Sequence, residues 1–338
     1  MKNESVVNSM TRCALIGYGY WGPNLARNLY DKRDCDLRYI CDMDEERLKK
    51  AKDKYPLVDI TRFSSTVFED DEIQAVFVAT PIASHFEVAR EALLSGKDVF
   101  VEKPIANNTK DAEELIKLAE KGKNVLMVGH TFEYSPPVLK VKELLDKGEL
   151  GDILFISSIR VNLGIHQKDV SVIWDLASHD ISILIYWLEE EPSSMKVLGR
   201  GCVLSAVPDV AFLSMDFPSN VIANVEVSWL SPTKLRRTTV VGTKKMLIYD
   251  DTEHLEKIRV FDKGVVFKEP KDFGEFQLTY RTGDVISPLL ENFEPLQAEV
   301  SHFLDCVKER RRPRTDGECG LRVVRALEMA EMSLKRGE

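Results

Sequence analysis

A chain of 338 residues is long for a single hydrophobic core and suits two domains. With 44% hydrophobic and 30% charged residues it reads as an ordinary globular protein, and a formal net charge of -9 argues against a surface built for nucleic acid or for anionic membrane. The longest apolar stretch, residues 181–188, is far too short to cross a bilayer. The first ten residues are polar, lack the apolar segment of a secretion signal, and read as a frayed tail. Six scattered cysteines (13, 35, 41, 202, 306, 319), without C-x-x-C or zinc-type spacing, imply a reduced, cytoplasmic setting and no metal site.

In chain order, a short apolar run at 13–16 leads into Gly17, Gly19 and Gly22 in G-x-G-x-x-G spacing, with Tyr20 and Trp21 between the last two. Leu25, Ala26 and Leu29 then follow with helical period. Strand, glycine turn and helix in this order form a dinucleotide cradle: a tight turn, a glycine with no side chain to block a pyrophosphate, and a glycine where helix meets strand. The phosphates would lie on the free N–H groups of the helix, and Pro23 suits its first turn. Three glycines alone could equally be turn residues. Asp42, about 20 residues beyond Gly22 and at the end of a second apolar run (37–41), strengthens the signal as a ribose-binding carboxylate. The alternative, a helix N-cap, can be met by Asp44 while Asp42 binds. A carboxylate there repels a 2'-phosphate and no arginine stands directly beside it, so NAD is favoured over NADP.

Residues 55–71 read as looser chain, and 75–79 as a buried parallel strand ending at Thr80-Pro81. Ser84 and Glu87 have capping-box spacing for a helix through Leu94. A strand at 98–101 closes in Glu102-Lys103-Pro104, a helix spans 109–121, and 125–128 is a further strand. This alternation predicts a parallel sheet covered on both faces. The texture changes near Gly129, giving a first domain of residues 1–130 and a second of 131–338. The second holds helices at 138–146, 174–188, 295–310 and 320–335, with strands at 153–161 and within 193–267, including a hairpin at 240–249. It reads as α+β with a largely antiparallel sheet.

Ligands of parallel sheets lie beyond the carboxyl ends of the strands. Lys103 stands at such an end, held extended by Pro104, although an isolated lysine is commonly a solvated charge. Asp175 and His179 lie four apart, so on a helix they share a face. Histidine suits a base taking a proton from an alcohol, and the aspartate orients the ring. The competing view makes Asp175 a cap and His179 a packing residue. His85, His130, Arg160, Asn162 and His166 are lesser candidates at element ends or in loops. Lys234, Arg236 and Arg237 form a cationic group that could clamp a diphosphate or face solvent as a strand surface. The run 310–314 (R-R-R-P-R) reads as a loop between helices.

Together, Gly17 to Gly22, Ala79-Thr80-Pro81 with His85, Glu102-Lys103-Pro104, Gly129-His130 leading to Pro136, and Asp175-x-x-x-His179-Asp180 resemble the Gfo/Idh/MocA family of glucose-fructose oxidoreductase and inositol dehydrogenase. The endings E-P-L-Q-A-E-V-S-H-F-L-D-C and D-G-E-C-G-L-R are also similar, so the likeness runs from about Arg12 to Lys335. It implies an α/β chain: an N-terminal Rossmann domain with a doubly wound parallel sheet, and a C-terminal domain with a large, mostly antiparallel open sheet. It further implies hydride exchange between NAD and a sugar or cyclitol carbon. In that reading Lys103, Asp175 and His179 are catalytic. Gly17, Gly19, Tyr20, Trp21, Gly22, Asp42, Thr80, Pro81, His85, Glu102 and Lys103 face the cofactor, and His130, Arg160, Asn162, His166, Lys234 and Arg236 face the substrate. Where many members carry glycines before the Asp/His helix, this chain has Ser171-Val172-Ile173-Trp174. The stretches Y-G-Y-W-G-P-N and S-W-L-S-P-T-K-L-R look most like the branch acting on nucleotide-linked sugars. An open sheet exposes an apolar face, so a homodimer or homotetramer is expected.

Overall fold

The computed structural model describes residues 10–164, 170–268 and 277–336. Two compact units divide the chain: residues 1–134 with 293–325, and residues 135–292 with 326–338.

The first unit carries a six-stranded sheet of β1 (Thr11–Ile16), β2 (Cys35–Cys41), β3 (Asp59–Thr61), β4 (Ala75–Val78), β5 (Asp98–Glu102) and β6 (Leu126–Gly129). The spatial order is β3-β2-β1-β4-β5-β6 and all pairings are parallel. That order reverses direction between β1 and β4, the switch point at which such sheets bind ligands. Every residue of β4 is buried because both faces are covered, which is why its sequence is apolar without alternation. The strand β3 lies within the stretch read as loose; three residues are too few to give a period.

The expected second domain of 131–338 differs from the observed division. The boundary falls at 134/135, and the helix Pro295–Glu309 packs into the first unit. It buries Leu296, Val300, Phe303, Leu304 and Val307 along one side. The Phe303 ring meets Phe77 at 5.1 Å and Phe100 at 5.8 Å. Such aromatic pairs add about 0.5–1.5 kcal/mol each beyond area burial. The last helix, Gly317–Arg336, is shared, with the division after Arg325.

In the second unit an eight-stranded sheet is built from β7 (Ile153–Leu163), β8 (Ser194–Arg200), β9 (Val210–Asp216), β10 (Ile222–Ser228), β11 (Leu230–Gly242), β12 (Met246–Asp250), β13 (Ile258–Lys268) and β14 (Gln277–Ile286). Its order is β14-β13-β12-β11-β7-β10-β9-β8. Only β7 and β10 run parallel; antiparallel pairs flank them, and β11 and β12 form the expected hairpin. Ala223, Val225 and Val227 point inward, while Phe155, Leu198, Phe212 and Ile222 are exposed. The helix Ser178–Leu188 is buried over most of its surface, and the Trp187 indole N–H reaches the Val138 carbonyl of the helix Pro136–Asp146 at 3.0 Å. None of the described helices is long and apolar enough to cross a membrane.

Candidate active site

The glycine turn is dictated by space. A Cβ on Gly17, whose φ is +100°, would lie 2.5 Å from the Ala79 carbonyl group, and one on Gly22 would lie 2.2 Å from the Gly17 carbonyl oxygen. The turn therefore closes directly onto the end of β4, with the helix Gly22–Tyr30 starting at its third glycine. At Gly19 the nearest atom is only the Arg47 guanidinium at 3.5 Å, so a pyrophosphate can approach that backbone. Asp42 accepts the Tyr18 N–H at 2.7 Å and the Asp44 N–H at 2.9 Å, which fixes its carboxylate beside the turn. Asp44 caps the helix Glu45–Lys54 through the N–H groups of Glu46 and Arg47, so the two aspartates divide the roles.

One expectation is corrected here. Arg47, five residues beyond Asp42, brings Nη1 to 3.6 Å from Asp42 Oδ2 and Nε to 3.5 Å from Asp44. An arginine does stand beside Asp42; the helix turn returns it there, which neighbouring residues in sequence do not reveal.

At the carboxyl ends of β4 to β6 the first unit gathers buried polar atoms. Thr80 Oγ1, Glu299 Oε1 and both His130 ring nitrogens are buried without a hydrogen-bond partner, and the buried Glu102 carboxyl and Trp21 indole lie among them. Buried polar atoms are nearly always satisfied, so this density of orphans marks a place where a ligand's donors and acceptors fit. Burial raises the Glu102 carboxyl to about 7, although the Lys103 charge and N–H oppose it. Burial, followed by the Lys103 charge, lowers His130 to about 3, so this ring is neutral at physiological pH and is no base. Glu299 accepts the Thr131 hydroxyl at 2.7 Å and is held well above the usual carboxylate range by burial and by the neighbouring Glu102 and Glu133 charges. Glu299 was not among the expected residues; its place in a regular apolar helix pattern hides it.

The second unit supplies the other candidates. Residues Ile173–Ala177 form a π-helical turn that runs into the helix Ser178–Leu188, where the sequence predicts one continuous α-helix from 174. Such turns insert one residue and recur at functional sites. Trp174, Ala177, Ser178 and Asp180 are buried, whereas Asp175 and His179 are both partly exposed on successive turns. Asp175 Oδ2 accepts the Trp229 indole N–H at 3.2 Å. Among the described residues no group of three or more His, Cys, Asp or Glu side chains could hold a metal ion.

Several expected site residues have other work. Arg160 is buried and pairs with Asp180, Nε to Oδ2 at 2.5 Å, while Ser158 joins the same carboxylate at 2.7 Å and Thr238 at 2.9 Å. It ties β7 to the helix rather than facing a substrate. His85 is buried with Nδ1 2.8 Å from the Pro104 carbonyl oxygen and Nε2 2.8 Å from that of Thr80. It ties the β4 end to the β5 turn, and burial lowers its pKa. Arg236 meets Asp251 at 3.4 Å and Lys257 meets the same carboxylate at 3.3 Å, whereas Lys234 and Arg237 are exposed. Burial raises Asp251, but those two cations prevail and its pKa is lowered. Ser84 makes no cap bond; it ends the 3-10 turn Ile82–Ser84 and donates to the Pro81 carbonyl at 2.9 Å. Asn162 is half-buried, Pro81 and Tyr20 are exposed, and Trp21 and Thr80 are half-buried near the turn. His166 lies outside the described residues. In the basic run, Arg310 pairs with Asp98 and Arg314 covers the Tyr134 ring, so these charges serve internal contacts.

Residues 11–130 match the model of an oxidoreductase family with an NAD-binding Rossmann fold, and 138–248 match the C-terminal domain of the same family. The chain belongs to the Gfo/Idh/MocA family. It is therefore an NAD-binding oxidoreductase, and the glycine turn with Asp42 fits that cofactor. Among its relatives, scyllo-inositol 2-dehydrogenase (NAD(+)) of Bacillus subtilis is 24% identical over 89% of this chain and 87% of that protein. The myo-inositol 2-dehydrogenase of Thermotoga maritima is 27% identical, covering 91% and 92%. The structure of UDP-N-acetylglucosamine 3-dehydrogenase GnnA from Acidithiobacillus ferrooxidans superposes with a TM-score of 0.79 at 22% identity, covering 96% of this chain and 97% of that one, which establishes likeness of fold.

Proposed function

We propose that this Gfo/Idh/MocA protein interconverts a ring hydroxyl and a ketone on a nucleotide-linked sugar, of the UDP-N-acetylhexosamine kind, at the 3-position. The observation that carries the reading is that Asp175, in the π-turn, and His179, in the largely buried helix that follows, are both partly exposed, with an indole N–H on the aspartate. In the oxidative direction His179 takes the hydroxyl proton and Asp175 keeps the imidazole oriented. Lys103 hydrogen-bonds the reacting oxygen and stabilises the negative charge that develops on it. NAD, when bound, supplies the acceptor for the hydride. Asp42 holds its ribose and the Gly19 backbone admits its pyrophosphate. Exposed Lys234 and Arg237 on β11 suit the diphosphate of the substrate.

A second reading, a free inositol or monosaccharide dehydrogenase, is favoured by the names of the two sequence relatives. Following nicotinamide absorbance with NAD and UDP-N-acetylglucosamine, UDP-glucose, myo-inositol, scyllo-inositol and glucose separates them. Turnover with the UDP-linked sugars, weakened by neutralising Lys234 and Arg237, is expected. Turnover confined to the free polyols transfers the assignment to the second reading, and bound NAD without turnover on any of them removes both. The exposed apolar row Phe155, Leu198, Phe212 and Ile222 also fits a second copy of this chain. A light-scattering mass of one chain would exclude that.

A further inference from the structure

We propose that Trp229 is a positioning residue for the Asp175/His179 pair: its indole N–H fixes the Asp175 carboxylate so that the imidazole keeps its partner. This rests on the roles given to Asp175 and His179 above.

Trp229 occupies the short link between β10 and β11 and is 2% exposed. Its backbone is pinned on both sides. The N–H donates to the Asp209 carbonyl at 2.9 Å and the carbonyl accepts the Gly164 N–H at 3.0 Å. The ring is pinned too, because a Cβ on Gly164 would come 2.6 Å from Trp229 Cδ1 and 3.0 Å from Cγ. The pairing of β11 with β7 slips between Leu230 and Leu235, so this link is irregular chain held by specific contacts. A buried indole N–H needs an acceptor, and a backbone carbonyl suffices, as Val138 does for Trp187. Trp229 instead reaches Oδ2 of Asp175, a carboxylate on a partly exposed π-turn. At 3.2 Å the contact is at the long end for an N–H···O hydrogen bond, so its contribution is one of direction more than of strength. A rigid ring thus holds the one acid whose direction decides whether His179 is oriented. Loss of the N–H removes one of the contacts that orient the carboxylate and weakens its hold on the ring.

The test needs no substrate. His179 is titrated by NMR in the full-length protein, its ring signals assigned by their loss in His179→Gln, for wild type, Trp229→Phe, Asp175→Ala and the double variant. Asp175→Ala removes the anion and lowers the His179 midpoint. Trp229→Phe, which keeps an aromatic ring but loses the N–H together with the five-membered half of the indole, is expected to lower it in the same direction by about half a pH unit. In the Asp175→Ala background it shifts nothing further, the non-additivity of residues acting through one another. Gly164→Ala, which pushes the indole aside, gives the same signature and serves if Trp229→Phe does not fold. A wild-type midpoint in Trp229→Phe, or an equal shift with and without Asp175, overturns the assignment. An Asp175→Ala midpoint equal to wild type removes the pair itself, a failure of the proposed function that is read separately from any result on Trp229.

Discussion

The two units differ in what their main buried polar clusters do. In the second, Arg160 and Asp180 are buried but paired, with Ser158 and Thr238 completing the network, so a charge inside the sheet layer becomes scaffold. In the first, Glu299, His130 and Thr80 carry buried polar atoms with no protein partner at the ends of β4 to β6 and in elements beside them. Unpaired groups of this sort cost stability and are tolerated where they meet a ligand. The lesson is that the polar atoms at the strand ends of the first unit are left open for a ligand, whereas the Arg160–Asp180 cluster of the second is scaffold beneath a helix whose partly exposed His179 carries the proposed chemistry.

The largest expected effect sharpens that division of labour. His179→Asn is expected to slow turnover by about 10²–10⁴-fold while binding of NADH, followed by the fluorescence of its reduced nicotinamide, stays at wild type; near-normal turnover would sink the assignment. Next, Arg160→Met strands Asp180 in the interior and is expected to lower stability by about 3–5 kcal/mol in urea unfolding, whereas an unchanged midpoint would show that the pair is not scaffold. The first unit gives a pH-dependent counterpart. Glu102 binds its proton more tightly folded (about 7) than unfolded (about 4.5), so its contribution is complete below pH 4.5 and lost as pH rises to 7. Glu102→Gln in the NAD-free protein should therefore gain about 3 kcal/mol at pH 8 and nothing at pH 4. His130 acts in the other direction, its folded pKa near 3 lying below the usual 6.5, so stability falls as pH drops between those values. An Asn or Phe at 130 should flatten that acid limb. The smallest effect is Asp44→Ala, which removes the cap of the helix Glu45–Lys54 for about 1 kcal/mol.

Much of the first unit was legible in the sequence because its signals are local. The glycine spacing, the apolar run of β4 and the paired Asp42 and Asp44 each lie within a few residues of what they determine. What escaped was set by distant contacts. Phe303 belongs to the first sheet although it is two hundred residues from Phe100, and no periodicity states which core a helix will join. Arg160 read as a substrate contact because an arginine near a strand end usually faces solvent; Asp180, twenty residues on, draws it inside. The π-turn at 173–177 was read as α-helix because both carry apolar residues at similar spacing. Trp229 lay inside a motif quoted for its likeness, with no local hint that its partner would be Asp175.

The discontinuity of the first unit sets a timetable for its birth. Its sheet strands are complete by residue 129, but Phe303, which covers Phe77 and Phe100, arrives only in the segment 293–325. Between residues 134 and 325 about 190 residues must be translated, which at ~5–20 residues per second occupies roughly 10–40 s. Through that interval the nascent Rossmann sheet leaves the ribosome with an apolar face uncovered. Chains truncated before residue 293 are therefore expected to aggregate more readily than the full chain, which a sedimentation assay of the two checks.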